Sequence, residues 1–337
     1  MSAHTICLIE GDGVGHEVVP AGRRLLEATG LDVAFTSAEA GWDTFTREGT
    51  ALPQATLDRV RKADATLFGA VGSPLHRVAG YRSPIVAMRR ALDMYANLRP
   101  VLSQPVPRSR PDIDMMIVRE NSEGLYIGQE HVSADRAMGE RVITRRGSTR
   151  IAKLACGLAE QRQAAGRPGR LTIVHKANVL RGTCGLFREA AFAVAEGYPA
   201  LEVEEMLVDA CAMRLVTDPE RFDVIVTTNL FGDILSDEAA GLVGGLGLAP
   251  SANMGAEHAV FEPVHGTAPD IAGRGIANPA ATFAAVAMLL DHLGEASTAA
   301  RVRRALDDAL RQGPTTPDLG GNATTDMFTA AVIEQLD

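Results

Sequence analysis

Short apolar, β-branched runs alternate along this chain with longer segments of helical periodicity, and the alternation sets the expected fold. Strand-like runs fall at Thr5–Glu10, Asp32–Glu39, Ala65–Ala70, Met115–Val118, Leu171–His175, Leu201–Val208 and Asp223–Thr228. Helical patterns lie between several of them, at Glu17–Thr29, Ser148–Ala165 and Gly182–Glu196. Strands and helices in alternation predict an α/β protein with a largely parallel sheet. Ser103–Asp112, a mixture of proline, serine and arginine, reads as a surface crossing between two lobes. Gln129–Arg146 is polar and irregular and reads as an arm or flap. There is no internal repeat and no low-complexity tract.

Composition narrows the picture. At 337 residues the chain can hold two domains or one large α/β unit, and 46% hydrophobic with 22% charged residues is ordinary for a soluble globular protein. A net charge of -9 and only 4% aromatics argue against a nucleic-acid-binding surface. Cys7, Cys156, Cys184 and Cys211 form no CxxC pair, so buried free thiols in a reducing compartment are expected. Ala280–Leu290, the longest nearly apolar run, is too short to span a bilayer, and Met1–His4 leads into a strand without a signal peptide. The expectation is a cytoplasmic protein with no membrane partner.

The candidate chemistry begins where the Asp223–Thr228 run ends. Asn229-Leu230-Phe231-Gly232-Asp233-Ile234-Leu235-Ser236-Asp237-Glu238 continues as a helix that carries Asp233 and Asp237 four residues apart on one face. Like charges at that spacing destabilise a helix by roughly 0.2–0.5 kcal/mol, so a cation should face them. Two hard oxygen donors on a rigid helix suit a divalent metal that takes further ligands from substrate, although the spacing alone fits a solvated helix face equally well.

Other polar groups bunch at strand ends, where open α/β sheets bind ligands. Met115–Val118 gives way to Arg119-Glu120-Asn121-Ser122-Glu123-Gly124-Leu125-Tyr126, and Leu171–Val174 to His175-Lys176-Ala177-Asn178. Arg89 and Arg99 add two guanidiniums beside expected loop ends, and three such forks suit a polycarboxylate. Lys176 is either a surface cation or, desolvated beside a metal, a base. Asp209, at the expected end of another strand, is a further candidate ligand. Phe261–Gly273 and Ala277-Asn278-Pro279 read as a rigid loop with exposed backbone amides. Gly11-Asp12-Gly13-Val14-Gly15-His16 spaces its glycines as GxGxG rather than GxGxxG, and no clean βαβ unit ending in an acid follows.

Together, Gly11–Gly15, Arg119–Tyr126, His175–Asn178, Asn229–Leu248 and Glu262–Pro279 resemble the β-decarboxylating dehydrogenases, enzymes of isocitrate, homoisocitrate, 3-isopropylmalate or tartrate. The resemblance covers essentially the whole chain in family order. It implies a two-lobed α/β fold of the isocitrate/isopropylmalate dehydrogenase type, unlike a Rossmann domain. Residues 1–97 and 244–337 would form a large cofactor-binding lobe, and 98–243 a smaller dimerising lobe with an arm near 129–146. It further implies a homodimer with shared active sites, which the arm would serve to clasp into a tetramer.

By the same likeness Asp233 and Asp237 hold Mg²⁺ or Mn²⁺, with Asp209 donated by the partner chain. Arg89, Arg99 and Arg119 would clamp the substrate carboxylates, Tyr126 and a partner's Lys176 would form the acid–base pair, and Asn178 would reach substrate and cofactor. The nucleotide would lie against Gly11, Ser73, Glu262, His265, Gly266, Thr267, Ala268, Asp270, Ile271 and Asn278. Asp270 points to NAD, because an acid accepts hydrogen bonds from the ribose hydroxyls and repels a 2′-phosphate.

Substrate choice would fall to Arg82, Ser83 and Val86. Arg82 and Ser83 suit an extra carboxylate, whereas Ile85 and Val86 are apolar and keep 3-isopropylmalate open. The likeness of Gly41-Trp42, Leu92–Asn97 and Gly313–Gly321 favours homoisocitrate and the lysine-forming α-aminoadipate route, with isocitrate a further alternative. A silent regulatory subunit would show losses at Lys176, Tyr126 or the aspartates, and all are present.

Overall fold

The computed structural model describes residues 4–336 apart from Leu75 and Arg77. Met1–Ala3, part of the segment read as lacking a signal peptide, lie outside the described residues. The chain forms two compact units, one of residues 1–94, 104–109 and 244–337, the other of 95–103 and 110–243. The expected boundary at 97/98 falls inside the strand Ala96–Leu102, and the middle of the expected crossing segment belongs to the first unit.

In the first unit the strands lie in the order Val33–Ser37, His4–Gly11, Ala65–Ala70, Ala259–Pro263, Pro250–Met254. All neighbours are parallel except the last two, which pair antiparallel. Ala65–Ala70 is buried at every position, as a strand covered on both faces must be. His4–Gly11, the helix Gly15–Ala28 and Val33–Ser37 do form a parallel βαβ unit, contrary to the sequence reading. The acid that follows it, Glu39, is bound to Arg47. The antiparallel strand and the spatial order separate the sheet from a Rossmann arrangement. The apolar run near residue 280 is the helix Ala280–His292, buried on nearly every side, and no helix among the described residues is long and apolar enough to cross a membrane.

The second unit orders its strands Ala96–Leu102, Asp114–Glu120, Val224–Thr227, Arg170–His175, Glu202–Leu207. The first pair is antiparallel and the others parallel. Ile117, Val174, Ile225 and Leu235 meet in its core, which seats the helix Asn229–Leu242 on the sheet. Gln129–Arg146 is more ordered than its composition suggested: Glu130–Val132 and Ala137–Gly139 form an exposed antiparallel hairpin, and the next helix already begins at Arg145. All four cysteines are buried and free.

Candidate active site

The acidic helix is built as the sequence implied. Val224–Thr227 ends in Thr228, whose extended backbone starts the helix Asn229–Leu242. The cations that face its two aspartates are arginines. Arg99 Nη1 donates to Asp237 Oδ1 at 2.8 Å and to Ser236 Oγ at 2.6 Å, and its Nη2 reaches Asp233 Oδ1 at 3.3 Å. Arg119, almost wholly buried, donates to the same Asp233 oxygen. Tyr126 gives its phenolic hydrogen to Asp233 Oδ2, and its ring lies 5.1 Å from the Arg119 guanidinium carbon.

Burial is the main cause that pushes the Asp237 carboxyl above its usual range, with Asp233 adding to it and Arg99 opposing. Burial likewise raises the Tyr126 phenol, helped by its bond to Asp233. Such a phenol stays protonated at neutral pH and can serve as an acid. Arg99 was expected beside a loop end; it sits within Ala96–Leu102 instead, fixed by that strand.

Lys176 and Asp209 form a separate pair in this unit. Lys176 follows Arg170–His175, while Asp209 lies in the first turn of the helix Val208–Thr217 rather than at a strand end. The Lys176 ammonium holds the Asp209 carboxyl below its ordinary range. Among the described residues no three His, Cys, Asp or Glu side chains gather as a metal-binding group, so Asp209 does not complete the Asp233–Asp237 pair within one chain. Asn178 is exposed on the loop after Lys176.

The first unit carries the residues expected at the nucleotide. Gly11 and Gly13 both have positive φ, and a side chain on Gly13 would collide with the Thr267 carbonyl. That approach lets the Val14 N–H donate to Thr267 O at 3.0 Å. Ala268 and Ile271 pack on Val14, Val18 and Ala277, so they shape the loop through apolar contact. His265 Nδ1 donates to Gly266 O at 2.9 Å, which leaves Nε2 as an acceptor, buried and with no partner among the described residues. Burial pushes the His265 imidazole below its usual value and keeps it neutral. An acceptor of this kind fits an exocyclic amine such as adenine's.

Asn278 uses its amide within the chain, donating to Asp318 Oδ2 at 2.9 Å and accepting from Ala280 N at 3.0 Å. Ser73, Gly266 and Asp270 are exposed, and the Ser73 hydroxyl bonds to Tyr81. Glu262 belongs to the strand Ala259–Pro263 rather than the loop expected there, and accepts from Arg89 Nη2 at 3.3 Å.

Arg89 and Val86 are three residues apart in the helix Pro84–Ala91, hence on one face, with Arg82 exposed just before it and Ser83 at its N-cap. Ile85, four residues before Arg89 and so also near its face, packs partly buried against the core that holds Ile9, Phe68 and Met88.

Two positions were passed over in the sequence. Asp12 is buried, and its carboxylate takes the N–H groups of Trp42 at 2.7 Å, Asp43 at 3.0 Å and Gly72 at 2.7 Å. An acid between two glycines was the available signal. Gly232 gives the Arg119 stem its space, since a Cβ there would sit 2.6 Å from Arg119 Cγ.

Buried guanidiniums opposite helix-borne carboxylates, in this fold, fall in the class of decarboxylating hydroxyacid dehydrogenases. The chain belongs to the isocitrate/isopropylmalate dehydrogenase family, whose pattern matches residues 5–336, and is therefore an enzyme. It is 58% identical to an isocitrate/homoisocitrate dehydrogenase of Thermus thermophilus, over 99% of either chain. A 3-isopropylmalate/3-methylmalate dehydrogenase of Methanocaldococcus jannaschii is 52% identical over 96% of either chain. The crystal structure of isocitrate dehydrogenase from Methylococcus capsulatus superposes with a TM-score of 0.93 at 44% identity, covering 99% of both chains. The two-lobed α/β fold is that of this family.

Proposed function

We propose that the protein catalyses NAD-dependent oxidative β-decarboxylation of homoisocitrate to 2-oxoadipate and CO₂, with Mg²⁺ or Mn²⁺, as a homodimer with shared sites. The carrying observation is the meeting of Arg99, Arg119 and Tyr126 on the Asp233–Asp237 face. An all-oxygen donor pair suits a hard divalent ion, and the exposed Asp209 of a second chain would supply the third carboxylate. Such an ion would polarise the 2-hydroxyl and withdraw charge during decarboxylation, while NAD accepts the hydride.

The chain's own residues do the rest. Arg99 and Arg119 would bind substrate carboxylates through paired N–H donors. Lys176 would take the hydroxyl proton as hydride leaves C2. The bond to the β-carboxylate then breaks, its electron pair stays on the substrate as an enolate, and Tyr126 donates a proton to that carbon. His265 and the Gly13–Thr267 approach would seat the nucleotide, with the exposed Asp270 at its ribose.

The Thermus thermophilus relative, an isocitrate/homoisocitrate dehydrogenase, supports homoisocitrate and isocitrate alike, with Arg82 and Ser83 as readers of the distal carboxylate. A second reading, 3-isopropylmalate, draws on Val86 beside Arg89 and on the Methanocaldococcus jannaschii relative. Val86 and the partly buried Ile85 would be the apolar readers. NADH formation with Mg²⁺, compared by kcat/KM for homoisocitrate, isocitrate and 3-isopropylmalate, decides. Preference for 3-isopropylmalate would overturn the substrate assignment, and no turnover of any would overturn the reaction.

A further inference from the structure

Arg89, Arg99 and Arg119 sit on different elements, yet their Nε–H groups share one kind of partner. Arg89 Nε donates to Asn253 Oδ1 at 2.9 Å, Arg99 Nε to Asn97 Oδ1 at 2.8 Å and Arg119 Nε to Asn229 Oδ1 at 3.0 Å. Arg119 Nη2 also donates to Asn229 Oδ1, at 2.7 Å. Asn97, Asn229 and Asn253 are all buried to within 1% of their surface. Amides are anchored behind: Asn229 Nδ2 donates to Glu123 O at 3.2 Å and Asn253 Nδ2 to Glu262 Oε1 at 2.7 Å. A guanidinium only donates, which fixes the amide oxygen on the arginine side in each case.

The chemistry of that choice is specific. A buried Nε–H needs an acceptor, and leaving it without one costs about 1–3 kcal/mol. A carboxylate would meet the need but would add a further negative charge beside guanidiniums whose terminal nitrogens already face Glu262, Asp233 and Asp237, and so weaken their hold on an incoming carboxylate. An asparagine oxygen meets it without charge and fixes the plane of the guanidinium. In the second unit the terminal nitrogens are thereby turned toward the Asp233–Asp237 face.

We propose that Asn97, Asn229 and Asn253 are charge-neutral positioning residues, which orient the three substrate-binding guanidiniums without adding a further negative charge to the carboxylates that already face the forks, Glu262 at Arg89 and Asp233 and Asp237 at Arg99 and Arg119. The inference rests on the polycarboxylate reading of the site given above. Asn97→Asp, Asn229→Asp and Asn253→Asp each keep an acceptor of the same size and add a negative charge. The expected result is a KM for the acid substrate raised about tenfold or more in each variant. The KM for NAD should stay within about twofold. Asn229→Asp and Asn253→Asp also lose the Nδ2 donor to Glu123 O and Glu262 Oε1 and should melt lower, so the split between the two KM values is the deciding readout.

Folded variants with an unchanged substrate KM would overturn the proposal. So would a parallel rise in both KM values with a lowered melting temperature, or failure of all three variants to fold, since either marks a purely structural role. If one variant fails to fold, the other two carry the test. Wild-type enzyme that turns over none of the three acids would overturn the functional reading instead. Calorimetric binding of citrate to wild type and variants would then still read the clamps: affinity lost in the aspartate variants supports them, and equal affinity overturns them.

Discussion

Lys176 donates its ammonium hydrogen to Asp209, although each residue is expected to serve an active site whose other members lie elsewhere in the chain's own fold. Asp209 is largely exposed, and among the described residues it joins no three-ligand group with Asp233 and Asp237. The proposed two-fold dimer would resolve this, because an isologous interface can exchange the pair between protomers. Co-expressed Lys176→Ala and Tyr126→Phe chains should therefore regain activity. Each mixed dimer holds one intact site, so random pairing predicts about a quarter of wild-type turnover. Purified mixed dimers as inactive as either parent would place both residues in one chain's site.

Tyr126 offers a proton that burial and Asp233 keep in place. Its removal in Tyr126→Phe should lower kcat about 10²–10⁴-fold if proton donation limits turnover. Substrate KM should move far less, because the Arg99 and Arg119 forks remain. A kcat within threefold of wild type, on the order of 0.6 kcal/mol, would assign the proton to another donor.

Much of this was legible because apolar alternation reports burial directly. Ala65–Ala70 and Leu171–His175 read as strands and are strands, and the aspartate spacing gave one helix face without a structure. Asn97 could also have been read, since two residues from Arg99 along a strand is the same side. Asn253 could not: it lies on the strand Pro250–Met254 and meets Arg89 of the helix Pro84–Ala91 across 164 residues of chain, a tertiary contact that sequence spacing does not encode. Asp209 was misplaced because Met206–Val208 is a continuous apolar run through the point where strand becomes helix. The Gln129–Arg146 hairpin was missed because an exposed two-stranded arm buries neither face and shows no period.

The cysteines give a test of pH dependence. Burial pushes the Cys156 thiol up to about 11 and the Cys211 thiol up to about 12. The thiolate is the reactive form, so its fraction at pH 8 is negligible at both sites and rises only as pH climbs toward those values. Native enzyme should show no fast-reacting thiol toward an aromatic disulfide reagent at pH 8, with four appearing on denaturation. Rapid native labelling of Cys211 would contradict its burial on the core-facing side of the helix Val208–Thr217.

Asp237 should separate stability from activity. Burial raises its carboxyl, so the folded chain binds that proton more readily than the unfolded one, and the ionised form weighs against folding above the raised value. Asp237→Asn should keep or raise the melting temperature at pH 7. It should also lose the stabilisation that Mn²⁺ gives wild type, together with turnover. A variant still stabilised by Mn²⁺ to the wild-type extent would remove Asp237 from the metal site.

Gly232 sets two known effects against each other. Replacing an interior helical glycine by alanine favours the helix by roughly 0.5–1 kcal/mol. At Gly232 the new Cβ would lie 2.6 Å from Arg119 Cγ and 2.7 Å from its Cβ, and overpacking of that kind costs about 1–3 kcal/mol. The stem cannot swing away freely, because Asn229 and Asp233 hold the guanidinium at its far end. The clash should win: Gly232→Ala should melt lower and bind the acid substrate more weakly. Gly241, in the same helix, has nothing within 4 Å of its would-be Cβ, so Gly241→Ala should be neutral or stabilising with unchanged KM. Thermal melts and substrate KM for the two variants side by side test the packing of Arg119. Equal behaviour would mean that the Arg119 stem is not confined by the helix.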